Sequence, residues 1–197
     1  MFKCLLFTIL SFSFFSYPSF GQVKDSSLEL STKSYLDATQ SKDWKKVLDM
    51  MNPKVFTIAS KKMMEQMYRQ MDNDSGLKFS FSEIEILGYK SALIISDTSY
   101  IPVDYSMTIQ IQLNPGLFKN PEDISLLHRG FEKTYAGQEV VYDQLSSRFY
   151  IDIKNTLIAL SAQNSGLWYF SEYKANDPLL NHILPNEVRQ KLMAGWN

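Results

Sequence analysis

The chain has 197 residues, a formal charge of −1 at neutral pH, 45% hydrophobic and 14% aromatic residues, and a single cysteine. Without a long run of either charge it lacks the basic face that nucleic acid requires and the polybasic stretch that an anionic membrane surface attracts. Such a composition, moderately charged and low in Gly and Pro, belongs to an ordinary globular domain.

The first residues read as a targeting segment. Met1-Phe2-Lys3 supplies a positive start, Cys4 to Phe15 an apolar centre, and Ser19-Phe20-Gly21 a small-x-small exit before Gln22. This is the pattern of a secretory signal peptide cleaved near Gly21-Gln22. The apolar run is shorter than the ~20 residues that span a bilayer, and Pro18 interrupts its far side. The expected organisation is a signal peptide over residues 1–21 and one domain over residues 22–197. That domain is expected to be exported to the periplasm or beyond, with no membrane attachment after cleavage. Cys4 lies inside the signal, and Gln22 stands where a lipoprotein would need cysteine. The exported domain then has no thiol, disulfide or cysteine metal site, and a packed core must supply its stability.

Three helices are expected before any strand. Ser27 can cap the first, which carries Leu28, Tyr35 and Leu36. Ser41 can cap the second, in which Trp44, Val47, Leu48 and Met51 recur at helical spacing. Asn52-Pro53 ends it, because proline disfavours helical geometry in the residue before it. Ser60 can cap a third helix with Met64, Met67, Tyr68 and Met71 on one face. Asp72, Asp74 and Glu83 have the spacing of a calcium loop, but its glycine falls one place early, at Gly76 instead of Leu77. A helix-to-strand turn is the expectation there.

The sheet begins near Lys78. Phe79 and Phe81 share one parity and Ile84 and Ile86 the other, so a bulge near Ser82-Glu83 is predicted. After a short apolar run over residues 91–96, Ile101 to Leu113 alternates without a break. Pro102 lacks a ladder donor, which predicts an edge or a strand start at that end. Asn120 and Pro121 open a helix with Ile124, Leu127, His128, Phe131 and Tyr135 in one stripe, and Gly137 can close it. Phe149, Ile151 and Ile153 alternate with Tyr150, Asp152 and Lys154. A second apolar run, a turn at residues 163–166 and a last strand around Trp168 complete a hairpin, and a short helix is expected from about Pro185 to Ala194. Trp168 and Phe170 share one face and Leu167 and Tyr169 the other, which suggests a central strand covered on both sides.

Helices first and a bent antiparallel sheet afterwards is the α+β order. Within it, Tyr35-Leu36-Asp37-Ala38, Asp43-Trp44 with Val47-Leu48, and Asn52-Pro53 resemble the opening helices of the nuclear transport factor 2-like superfamily, the cystatin-like α+β cone that includes ketosteroid isomerase-like proteins and many secreted bacterial proteins. Gly166-Leu167-Trp168-Tyr169-Phe170 is similar to its last strand, and Leu184-Pro185 with Val188 to a terminal helix of some secreted members. The likeness covers most of residues 29–173 as an order of elements. It implies helices packed on a strongly curved antiparallel sheet, a cone or half-barrel with a pocket at its open end. The inserted helix near residues 121–137 departs from the simplest cone and reads as a lid or side decoration.

The resemblance brings no catalytic set with it. Ketosteroid isomerase combines a carboxylate base with a tyrosine and a protonated acid in an apolar site, and this set is not placed residue by residue on the chain. Asp104 and Asp152 fall on the polar parity of their strands, which predicts solvent. Tyr105 shares the apolar face, where a buried phenol needs a partner. His128 lies on an apolar helical stripe and is the one candidate base, against the commoner role of a histidine bonded to a carbonyl. Two isolated histidines make no transition-metal motif, so neither metal nor cofactor is expected. The reading is a non-catalytic module that binds a small apolar ligand through Tyr105, Met107, Trp168 and Phe170, or pairs through its sheet with itself or another protein. The alternative is an isomerase or dehydratase with His128 or a pocket carboxylate as base and Tyr105 as donor.

Overall fold

The computed structural model describes residues 26–163, 165–175 and 177–196. The expected signal peptide, residues 1–21, lies outside them. The chain opens with α1 (Ser26–Ser41) and α2 (Trp44–Met50), followed by a 3-10 turn (Pro53–Thr57) and α3 (Lys61–Asp72). Capping side chains set these boundaries. Asp43, not Ser41, accepts from the Lys46 amide and starts α2; Asn52 accepts from Lys54 to start the 3-10 turn; Ser60 accepts from Met63 to start α3. Lys42 takes a left-handed conformation between the first two helices, φ 59°, which is why the chain leaves α1 after Ser41 and cannot use that residue as the next cap. Asp74 accepts from the amides of Gly76 and Leu77 at 2.7 and 2.8 Å, so the calcium-like spacing resolves into the helix-to-strand turn.

The rest of the chain forms six strands, α4 (Pro121–Thr134) between the third and fourth of them, and two C-terminal helices, α5 (Leu180–Ile183) and α6 (Asn186–Met193). The strands are β1 (Leu77–Tyr89), β2 (Leu93–Ile95), β3 (Thr98–Leu113), β4 (Glu139–Asp143), β5 (Arg148–Ala162) and β6 (Tyr169–Tyr173). They make one antiparallel sheet in the order β1-β3-β5-β4, with β2 also on β3 and β6 also on β5, and the sheet does not close on itself. The fold is α+β. At its centre β3 and β5 pair from Thr98↔Ala162 to Gln112↔Arg148 without a register shift. The predicted half-buried strand and the apolar run after it are thus one continuous β5. The expected bulge is present: the β1–β3 register shifts between Ser82 and Glu85, and Glu83 takes φ 53°.

Two expectations about strand position are corrected. Pro102 lies in the central strand opposite Ile158. Its carbonyl accepts from the Lys90 amide at 2.9 Å, and N and C=O of one strand residue point the same way. The missing donor therefore faces the break between β1 and β2, where no partner strand is deprived. β6 pairs only with β5 and is an edge, not a central strand. Its free side is blunted where the Asn52 amide donates to the Phe170 carbonyl at 2.8 Å.

One sheet face carries the main core. Ile111, Phe149, Ile151 and Leu157 are fully buried there with Leu36 and Val47 of the first two helices, and Ile124, Leu127 and Phe131 of α4 pack against the same cluster. The opposite face is polar along half its length: Thr108 donates to Asp152 at 2.6 Å, and Arg148 donates to Gln110 and Gln112. Along the other half, Tyr100 and Ile158 join Leu180, Ile183, Leu184, Val188 and Trp196 in a second core under α5 and α6.

Candidate functional site

Between α1, α2, α3 and the core face of the sheet lies a hollow of about 500 Å3. Its walls follow from side-chain periodicity. On β3, Tyr105, Met107 and Ile109 point inward, and opposite them on β5 stand Asn155, Ile153 and Ile151. Tyr35 comes from α1, Trp44 from α2, Met64, Tyr68 and Met71 from α3, Phe81 from β1 and Phe170 from β6. The rings stack in pairs, Trp44 on Tyr68 with centroids 4.5 Å apart and Tyr35 on Phe170 at 4.9 Å, while Phe81 meets Trp44 edge-on. Asp72 anchors this wall by accepting from the Trp44 indole and pairing with Lys42 at 3.0 Å.

A carboxylate stands among these rings. Glu172 of β6 follows Trp168 and Phe170 at the same parity, so it joins the inward face opposite Leu157. The Tyr105 hydroxyl donates to its Oε1 at 2.9 Å and the Asn155 amide donates to its Oε2 at 2.7 Å. Among the described residues no cation pairs with it. Glu172 is exposed where it lines the hollow, yet protein surrounds it in depth. That depth disfavours the charged form and pushes its pKa up to about 7, against the opposing pull of the Tyr105 hydroxyl; water inside the hollow tempers the effect. The phenols respond in turn. Tyr105 and Tyr68 titrate above the usual tyrosine range, and Tyr35 well above it, first because they are buried and next because Glu172 is close. Three phenols and one carboxylate thus converge on one apolar space.

The residues singled out in the sequence divide. Tyr105, Met107 and Phe170 line this hollow. Trp168 does not. Its indole donates to Ser27 at 2.9 Å, beside a separate hollow of about 250 Å3. His128 is half-buried on α4, against Phe149, and its Nε2 lies 3.1 Å from the Val140 carbonyl and 3.8 Å from Glu132. It lies outside the hollow. Asp104 and Asp152 lie on the outer sheet face, accepting from Thr156 and Thr108. The sequence pattern does not single out Glu172 and Asn155, although each continues an inward alternation, Trp168-Phe170-Glu172 and Ile151-Ile153-Asn155. Two further hollows, of about 560 and 610 Å3, are lined by Glu83, Glu85, Thr108 and Asp152 in the first and by Leu87, Asp104, Lys154 and Tyr173 in the second. Among the described residues no cluster of His, Cys, Asp and Glu could hold a metal, and no helix is long and apolar enough to cross a membrane.

No protein-family model matches the chain. No curated protein matches it in sequence.

Proposed function

We propose that this chain is an exported member of the nuclear transport factor 2-like type, its helices and bulged sheet forming a half-cone whose hollow binds a small, largely apolar ligand. The observation that carries this is the hollow itself: about 500 Å3, a size in the range of small-molecule sites, walled by aromatic and methionine side chains with a few convergent polar groups. The early helices, the bulge at Glu83 and the long β3–β5 pair support the half-cone reading. Self-association through the sheet calls for a wide apolar face. The outer face is instead polar at one end and covered by α5 and α6 at the other.

Mass spectrometry of molecules released from the purified protein tests the ligand reading, together with binding of the neutral fluorophore prodan. A co-purifying apolar molecule or saturable prodan binding, lost in Met64→Trp where the indole occupies the hollow, is the expected result. Absence of both in the wild-type protein would overturn it.

A second reading is favoured by one contact. Glu172, with a pKa near 7 and Tyr105 at 2.9 Å, has the attributes of a general base beside a hydrogen-bond donor, as an isomerase or dehydratase would use. Deuterium uptake at the α-carbon of an apolar ketone such as 2-tetralone, abolished in Glu172→Gln, is its signature. Uptake no faster than in buffer rejects it.

A further inference from the structure

Glu172 is an acid in a hollow walled by aromatic rings, and among the described residues it makes no ion pair, although Lys174 lines the same hollow. Its two hydrogen bonds come from neutral donors, Tyr105 and Asn155. An ionised carboxylate offers about four lone-pair positions, so roughly half of its accepting capacity is left toward the space it lines. Filling that space with hydrocarbon alone would strand the charge, which is costly. An anion would be repelled. The walls add a preference of the same sign, because the faces of Trp, Tyr and Phe rings carry negative potential and attract cations, more strongly where water is excluded.

We propose that the ligand of this hollow is a cation: an apolar molecule carrying one amine or quaternary ammonium group, its charge set against Glu172 and the rings of Tyr35, Trp44 and Tyr68. The inference rests on the small-ligand reading above and specifies its chemistry. A positive ligand beside Glu172 stabilises the ionised carboxylate, so binding expels whatever proton the group holds. Affinity for the cation then rises with pH through neutrality, where a neutral ligand that accepts a hydrogen bond from protonated Glu172 would weaken. The other titratable groups lining the hollow are Tyr35 of α1, Tyr68 of α3, Tyr105 of β3, and Lys174 and Asp177 after β6.

The test compares benzyltrimethylammonium, whose charge does not change with pH, with its uncharged carbon isostere neopentylbenzene. Ligand-observed NMR titrations use the full chain at about pH 8 and about pH 5.5. The expected result is binding of the ammonium about 10-fold or more tighter than the isostere at the higher pH, with the advantage shrinking at the lower pH. In Glu172→Gln, checked for a folded thermal transition, both the advantage and its pH dependence are lost; a pH response that the variant keeps would belong to the other lining groups and overturn the assignment to Glu172. If that variant does not fold, the wild-type pH series decides, and a flat series overturns the proposal. Equal or tighter binding of the isostere at the higher pH overturns the cation while leaving a small-ligand hollow. Failure of both probes and of prodan to bind overturns the two together.

Discussion

Glu172 has an ordinary carboxyl pKa of 4.5 in the unfolded chain and about 7 in the native one, so folding favours its protonated form. The sign follows. Below the unfolded value both states are protonated and the site costs nothing; as pH rises toward the native value, the unfolded chain ionises first and stability falls. The expected outcome is that Glu172→Gln gains thermal stability relative to wild type between about pH 4.5 and pH 7, and that the difference is constant above that window. Melting curves across the range check it, and a parallel pair of pH profiles would refute it. That Tyr105 lines the hollow was legible because it interrupts nothing: an aromatic on the inward parity of a long strand. Glu172 and Asn155 were readable by the same parity, yet a polar side chain near a strand end conforms equally to a solvated position, and only the meeting of three strands separates the cases. His128 shows the converse. A histidine on an apolar stripe signals half-burial, and here the Val140 carbonyl is what it meets.

Among the elements, β1 shows how much a short pattern can carry. The parity switch between Phe79-Phe81 and Ile84-Ile86 places the bulge within a residue of Glu83, because side chains on both sides of it must reach the same core. Deleting Glu83 should turn Phe79 and Phe81 toward the polar outer face and leave the chain unfolded. Glu83→Gly keeps the left-handed position without a Cβ penalty, loses only the 3.2 Å bond from Thr108, and should alter stability by no more than about 1 kcal/mol. Urea denaturation of the two variants separates backbone geometry from side chain; a folded deletion variant would show that the bulge does not set the register. Other elements were less readable for physical reasons. Pro102 predicted an edge because a proline normally costs its neighbour an acceptor's partner, and the gap between β1 and β2 was not visible in a linear pattern. β4, five residues at an edge, is too short to announce itself beside α4. β6 has apolar residues on both parities, which suits a central strand as well as an edge strand closed by Asn52.

Across the whole molecule, β5 is the shared wall of two cores. Leu157 and Ala159 face the hollow side, while Ile158 faces α5 and α6. The unbroken apolar stretch Leu157-Ile158-Ala159-Leu160 suits a strand buried on both faces, and the C-terminal helices supply the second cover. Because one strand serves both cores and Pro102 and Val103 of β3 lie against it, neither core can open fully without exposing the other. Val188→Ala, at a site with no exposed surface in the second core, should cost about 2 kcal/mol. If the two cores form one cooperative unit, hydrogen exchange at the slowest amides of β3 near Ile109 and Ile111 should accelerate by the same factor as those of α6. They lie toward the opposite end of the sheet and do not touch Val188, so a purely local effect would miss them. Acceleration confined to α5 and α6 would instead make the C-terminal helices a separable cover over an independently stable sheet, with only the Leu180 and Ile183 edge of the hollow depending on them.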